Sequence, residues 1–253
     1  MQQNQAYDLP IRIFHWLFAG LFISAFIVAK NVDDDSIVFV YHMIAGMLLV
    51  FSVFLRLIWG LVGSPTARFD AFQLSPRVLF SYFKGVFSSK TTRYWGHNPA
   101  SSYAAVFMFL LAVALGFSGF MMTAHINKHF FEEVHEISAN LFFLTAIAHI
   151  FGVILHQFKH RDGMITSMID GKKQEIPGEQ REIKHHGLVA AVFVAIMAVA
   201  GFTLNSGLDP QTGKLSLMGF SLSLGEEENQ HSDKSESSGL QQGDDENGDD
   251  EHE

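Results

Sequence analysis

The chain contains no cysteine among its 253 residues. That absence excludes disulfides, thiolate-bound iron–sulfur clusters and covalent c-type haem attachment, so any haem must be held non-covalently. It says little about compartment in a chain this apolar. Charge is also sparse, over stretches long enough to cross a bilayer. Five such gaps are visible: Ile11 to Ala29, Ile37 to Val62, Tyr103 to Ala124, Val134 to Phe158 and Leu188 to Asn205. Hydrocarbon offers no partner to a backbone N–H or C=O, so each gap is expected to be a helix. The first gap also lacks the marks of a cleaved signal peptide. It has no basic n-region and no A-x-A site, and it ends Val28-Ala29-Lys30-Asn31 before an acidic run. It is read as a retained helix.

What these gaps do contain is histidine. His135 and His149 stand fourteen residues apart in the fourth. Fourteen residues is close to four helical turns, so the rings share one face, about 21 Å apart along the axis. The hydrocarbon core is about 30 Å thick. The first and second gaps carry His15 and His42. Imidazole inside a membrane is costly and points to function.

Basic residues set the expected orientation. The segment between the second and third helices carries Arg68, Arg77, Lys84, Lys90 and Arg93, and that between the fourth and fifth carries Lys159, Arg161, Lys172, Lys173, Arg181 and Lys184. The intervening connections hold only Lys30 and Lys128. The N-terminus is therefore expected to be cytoplasmic and the C-terminus periplasmic, in a bacterial inner membrane. In that frame His42 and His135 share the periplasmic level, and His15 and His149 the cytoplasmic one. Two rings from different helices at each level are what axial ligation of one haem iron needs. A zinc or di-iron site would gather its ligands within a few ångströms and add carboxylates, but the apolar spans have no acid at ligand depth except Glu136. His156, seven residues beyond His149, is an alternative inner ligand, but the pair with His135 would then span about 31 Å. His156 and His160 are instead expected to meet headgroups, haem propionates or a quinone head. His125 and His129 are read as a solvated face, and His97 as a structural loop residue.

Several motifs, in order, resemble a known family. They are Asp8-Leu9-Pro10-Ile11-Arg12-Ile13-Phe14-His15-Trp16, then Tyr41-His42-Met43-Ile44-Ala45-Gly46 with Arg56-Leu57-Ile58-Trp59-Gly60. Gly96-His97-Asn98-Pro99, His135-Glu136 with His149, and Met168-Ile169-Asp170-Gly171-Lys172-Lys173 follow. Over about residues 7 to 174 the chain resembles the bacterial di-haem cytochrome b subunits: cytochrome b561 and the b-type membrane subunits of nickel–iron hydrogenases and formate dehydrogenases. The resemblance implies an all-α membrane protein, a four-helix bundle binding two haem b groups. It implies an outer haem on His42 and His135 and an inner haem on His15 and His149, the pairs that depth alone suggests. Arg12, Arg56 and the loop around His97 would lie near the inner haem edge, where a cation suits a propionate or a quinone oxygen.

The expected organisation is a di-haem domain over 1–174, a cytoplasmic linker over 175–187, a fifth transmembrane helix over 188–205 and a disordered acidic periplasmic tail over 206–253. Ala190, Ala191, Ala195, Ala198, Ala200 and Gly201 would let the fifth helix pack closely. The tail has a solvating composition and could attract a basic periplasmic cytochrome c. The function expected is electron transfer between the quinone pool and a periplasmic cytochrome c or oxidoreductase subunit. No catalytic residue of its own and no nucleic-acid partner are expected. A superoxide:quinone oxidoreductase, as in some relatives, is the alternative, although acidic periplasmic loops would repel that anion. A haem-free transporter would show paired intramembrane acids or broken helices, and neither is evident.

Overall fold

The computed structural model describes residues 3–34, 36–86, 88, 93–174, 183–209, 214–217 and 220–223. Most of the linker, 175–182, and the acidic tail from 224 lie outside the described residues. Five helices are long and apolar enough to cross a membrane. They are α1 (Leu9–Asn31), α2 (Val40–Val62), α4 (Pro99–Thr123), α5 (Lys128–His160) and α7 (Gly187–Gly207). Two shorter helices lie between them, α3 (Pro76–Val86) and α6 (Ser167–Asp170). All five apolar gaps are thus helical, with ends shifted by a few residues. The largest shift is at α5. Its 33 residues span about 50 Å, so its charged first turns and its last turn project beyond the hydrocarbon.

The helix starts follow local chemistry. Asp8 caps α1 through Oδ1, which accepts from the Ile11 N–H at 2.9 Å, with Pro10 in the first turn. Asn98 caps α4 the same way, accepting from the Ser101 N–H at 2.8 Å before Pro99. A side-chain oxygen at this position satisfies a backbone donor that the helix leaves orphaned, and proline loses nothing there. Two of the sequence motifs are therefore helix caps as well as family markers.

The helices alternate in direction. We call the end at which α1 begins proximal and the other end distal. The proximal end gathers the start of α1, the end of α5, and a two-stranded antiparallel sheet of β1 (Gln3–Gln5) with β2 (Lys172–Gln174). The Leu9 N–H donates to the His185 carbonyl at 3.2 Å, so α7 also starts there. At the distal end three short strands, β3 (Leu208–Asp209), β4 (Lys214–Leu217) and β5 (Phe220–Ser223), form an antiparallel sheet. Strands this close to α7 were not expected in a tail read as disordered from residue 206. Their anchor is apolar: Leu208 and Leu215 bury against Val40 and Ile44 at the head of α2.

The core is largely aromatic. Phe14, Phe18 and Phe22 of α1 meet Leu49 and Val53 of α2, Leu111, Ala112 and Leu115 of α4 and Phe142 of α5. Phe142 stacks on Phe22 with centroids 3.9 Å apart, and Phe143 on Phe26 at 4.7 Å. A Cβ at Gly116 would collide with Val50, so that glycine sets the close approach of α4 to α2.

Candidate functional site

Of the four intramembrane histidines, His42 and His135 come into ring contact, and His15 lies within electrostatic reach of His149. His42, near the start of α2, and His135, two turns into α5, have ring centroids 5.9 Å apart at the distal end. The protein itself fixes both rings. His42 Nδ1 lies 2.9 Å from the Ala25 carbonyl, to which it donates. His135 Nδ1 lies 3.0 Å from Ser118 Oγ. The Ser118 hydroxyl donates to the carbonyls of Ala114 and Leu115, which leaves its oxygen to accept from His135. With Nδ1 engaged on each ring, Nε2 is the nitrogen available to a metal, and neither Nε2 has a hydrogen bond among the described residues. This is the outer-shell pattern by which proteins fix the tautomer and aim of a ligating histidine. Metal–imidazole bonds of about 2 Å on each side need ring centres separated on this scale. The residues present therefore fit an iron held between His42 and His135.

The proximal pair is held differently. His15 of α1 and His149 of α5 lie within electrostatic reach of each other, and both rings are half-buried. His15 meets the Trp16 ring edge-on at 5.2 Å, while its Nδ1 is buried without a partner. The same end of the bundle holds further buried donors with no partner among the described residues: Arg12 Nε of α1, and Nε1 of Trp95, whose ring packs with Ile11. Unpaired buried donors are costly, and this group suits the acidic edge of a haem.

Between the pairs stands Phe142, seven residues from each α5 histidine and 2% exposed. Its ring packs on Phe18 and Phe22, so α1 and α5 are bridged by aromatic rings halfway across the layer.

The proximal cap contains a buried polar network that sequence reasoning missed. His156 does not face the bilayer or a haem edge, as expected of it. Its Nδ1 lies 3.3 Å from the Tyr82 hydroxyl and its Nε2 3.1 Å from Asp162 Oδ2, so both ring nitrogens are committed. The His156 and Asp162 side chains are each 3% exposed. Burial alone would raise the Asp162 pKa, but His156 and Lys173 outweigh it and hold the carboxyl down to about 2. Burial pushes the Lys173 ammonium down to about 8, against the pull of Asp162, and its Nζ donates to the Tyr94 carbonyl at 3.0 Å. Tyr82 comes from α3, whose C-terminal carbonyls are capped by Lys159 Nζ of α5. The network thus ties α3 to the end of α5.

His97 is structural in position, with a chemical peculiarity. It is wedged between the Tyr7 and Phe72 rings, with centroids at 5.4 and 4.8 Å. Burial, then the nearby Arg56 and Lys173 cations, lower its pKa to about 3, although a hydrogen bond to the Thr66 backbone opposes them. It is neutral, and its Nε2 is buried and unpaired. At the other end His129 pairs with Glu133 at 3.6 Å in solvent. Among the described residues no three His, Cys, Asp or Glu side chains converge to hold a metal.

A helical membrane bundle with imidazoles facing one another at depth defines a class of intramembrane redox carriers. The comparisons narrow it. The prokaryotic cytochrome b561 family profile matches residues 6–171, and the chain belongs to that family of haem b membrane proteins that transfer electrons. Similar proteins include probable Ni/Fe-hydrogenase B-type cytochrome subunits. The one from Rhizobium leguminosarum bv. viciae is 25% identical over 214 residues, covering 68% of this chain and 89% of the relative. The one from Rhodobacter capsulatus is 24% identical, covering 66% and 80%. The Ni/Fe-hydrogenase 1 subunit of Escherichia coli K12 is 22% identical, covering 66% and 89%. No solved structure matches the chain.

Proposed function

We propose that this bacterial membrane protein carries electrons across the bilayer between a membrane quinone and a redox partner on the opposite face, through two haem b groups. One is held by His42 and His135, the other by His15 and His149. The observation that carries this reading is the distal pair: two rings 5.9 Å apart, each oriented by a hydrogen bond at Nδ1. Haem supplies the one-electron chemistry when bound. The chain's own residues do the rest. His42 with His135, and His15 with His149, would hold the two groups through their imidazole nitrogens. Arg12 supplies positive charge at the proximal haem edge. The Phe18, Phe22 and Phe142 rings exclude water between the two levels.

Orientation follows from charge. Arg68, Arg77, Lys84, Arg93, Lys159, Arg161 and Lys184 all flank the proximal ends of the helices, so that end is cytoplasmic. The distal end, carrying Asp33, Asp34, Glu132 and Glu133, is periplasmic, and so is the C-terminus. The relatives named as hydrogenase subunits make a periplasmic oxidoreductase subunit the favoured partner class, with a basic cytochrome c as the other. The acidic distal rim argues against superoxide as substrate.

The test uses holoprotein in detergent micelles. Dithionite-reduced haem, freed of excess reductant, should be reoxidised by decylubiquinone or menadione, with both haem populations responding. Haem that stays reduced with either quinone would refute the quinone half of the proposal.

A further inference from the structure

The fifth helix encloses a space of its own. Where α7 leans on α1 and α2, a cleft opens, walled by Phe14 of α1, Arg56 and Trp59 of α2, and Val192, Phe193 and Ile196 of α7. Its α7 wall lies beyond the 6–171 region matched by the family, so this cleft belongs to the part of the chain that sets it apart. The lining is apolar apart from Arg56 and the Trp59 indole. The indole N–H is already spent on Asp8 Oδ2 at 3.1 Å.

Arg56 is therefore the polar feature of the cleft. It is 4% exposed. Its Nη2 donates to the Ala67 carbonyl at 2.8 Å, and its guanidinium lies against the Phe14 and Phe69 rings at 5.9 and 5.4 Å. Nη1 has no partner among the described residues. A guanidinium does not escape this by losing its proton. It needs an acceptor oxygen, and Arg56 is among the residues that line the cleft.

We propose that this cleft is a quinone site, with a ring carbonyl accepting from Arg56 Nη1 and the prenyl tail lying along Val192 and Ile196 of α7. The proposal rests on the quinone reading above and says where the quinone docks. Three observations favour a quinone over a phospholipid. The buried Asp8 carboxylate is within electrostatic range of Arg56, so the site is already compensated and suits a neutral head better than a phosphate. Nη1 is the Arg56 nitrogen buried without a partner among the described residues, and one carbonyl oxygen satisfies it, whereas a phosphate seeks several donor groups. Arg56 also lies six residues before the end of α2, about 9 Å in, below the level of headgroups. Access is from the bilayer, because Val192 and Ile196 are exposed on α7. The head would stand at the proximal end of the bundle, where Arg56 is within electrostatic range of His97, and His97 of His149.

The test is photo-crosslinking of an azido-ubiquinone analogue with a short tail to the holoprotein, with labelled peptides mapped by mass spectrometry. Label is expected on α7 around 189–196 and on α2 around 55–59. Val192→Trp and Ile196→Trp, which fill the cleft from the lipid side, should each cut labelling and the rate of haem reoxidation at low decylubiquinone at least tenfold. Ala198→Trp, on the exposed face of α7 turned away from Val192 and Ile196, should change neither. Label elsewhere, or cleft-filling variants that behave as wild type, would overturn the site while leaving the quinone reading intact. Competition by phosphatidylglycerol but not by decylubiquinone would make it a lipid site and overturn it too. A wild-type protein that neither reacts with quinone nor takes up label removes both.

Discussion

The two histidine pairs stand toward opposite ends of the bundle and are held by different means. At the distal pair the backbone and a serine orient each ring: Ala25 O receives His42 Nδ1, and Ser118 Oγ receives His135 Nδ1. At the proximal pair His15 Nδ1 has no partner among the described residues, and Arg12 Nε and Trp95 Nε1, at the same end of the bundle, are also buried and unpaired. The distal rings are thus oriented by the protein itself. On the proposed function, the proximal pair would be completed by the haem it holds. The comparison teaches that ligand spacing along α5 makes the two sites look alike, while their second shells make them respond differently to mutation and pH.

The largest effect expected is loss of one haem without the other. His135→Ala should lower the haem:protein ratio from two to one and remove the distal population. His15→Ala should remove the proximal population and leave the distal spectrum unchanged. Loss of both haems from His15→Ala, in protein that still folds, would break the claim that the distal site stands alone. The second effect is on the bundle common to both. Phe142→Ala removes the ring between the levels and should cost about 3–5 kcal/mol, as for large-to-small core substitutions, read as an earlier thermal transition of the holoprotein. A loss under about 1 kcal/mol would show that the aromatic bridge does not support the sites.

How much of this was legible in the sequence follows from what each feature depends on. The five helices and the four histidines were readable because charge-poor runs and a fourteen-residue spacing are local signals. The helix caps at Asp8 and Asn98 sat within motifs noted as family markers. The Ser118–His135 bond was not readable: a lone hydroxyl in α4 has no sequence mark of a partner seventeen residues away. His156 was misplaced for a related reason. Its partners Tyr82 and Asp162 meet it only after α3 folds against α5 and the chain turns back at Arg161, which has left-handed backbone. The strands at 208–223 were hidden by a polar composition in which Leu208 and Leu215 supply the anchor. The cleft against α7 required three helices to be placed at once.

Smaller effects sharpen the comparison. Ser118→Ala should weaken distal haem retention by about 10–100-fold, the usual cost of losing an outer-shell partner, and leave the proximal haem untouched. Equal weakening of both would contradict the assignment. The smallest effect is on pH dependence. His97 titrates near 3 when folded, against about 6.5 when unfolded. Between those values the unfolded chain takes up a proton that the folded one refuses, so stability falls as pH drops from about 6.5 toward 3. Asp162, held to about 2, adds stability above its ordinary range that is lost as pH falls through its folded value. Both groups lie in the proximal cap. Acid should therefore loosen the proximal haem before the distal one, and His97→Gln should flatten the upper part of that profile.

The central claim is that four histidines on three helices hold two haems. Its most direct test is the pyridine haemochromogen assay on purified full-length protein, together with the reduced-minus-oxidised spectrum. The account predicts two haem b per chain and a low-spin b-type α-band. One haem per chain, with the His15→Ala and His135→Ala variants both losing that same haem, would contradict it.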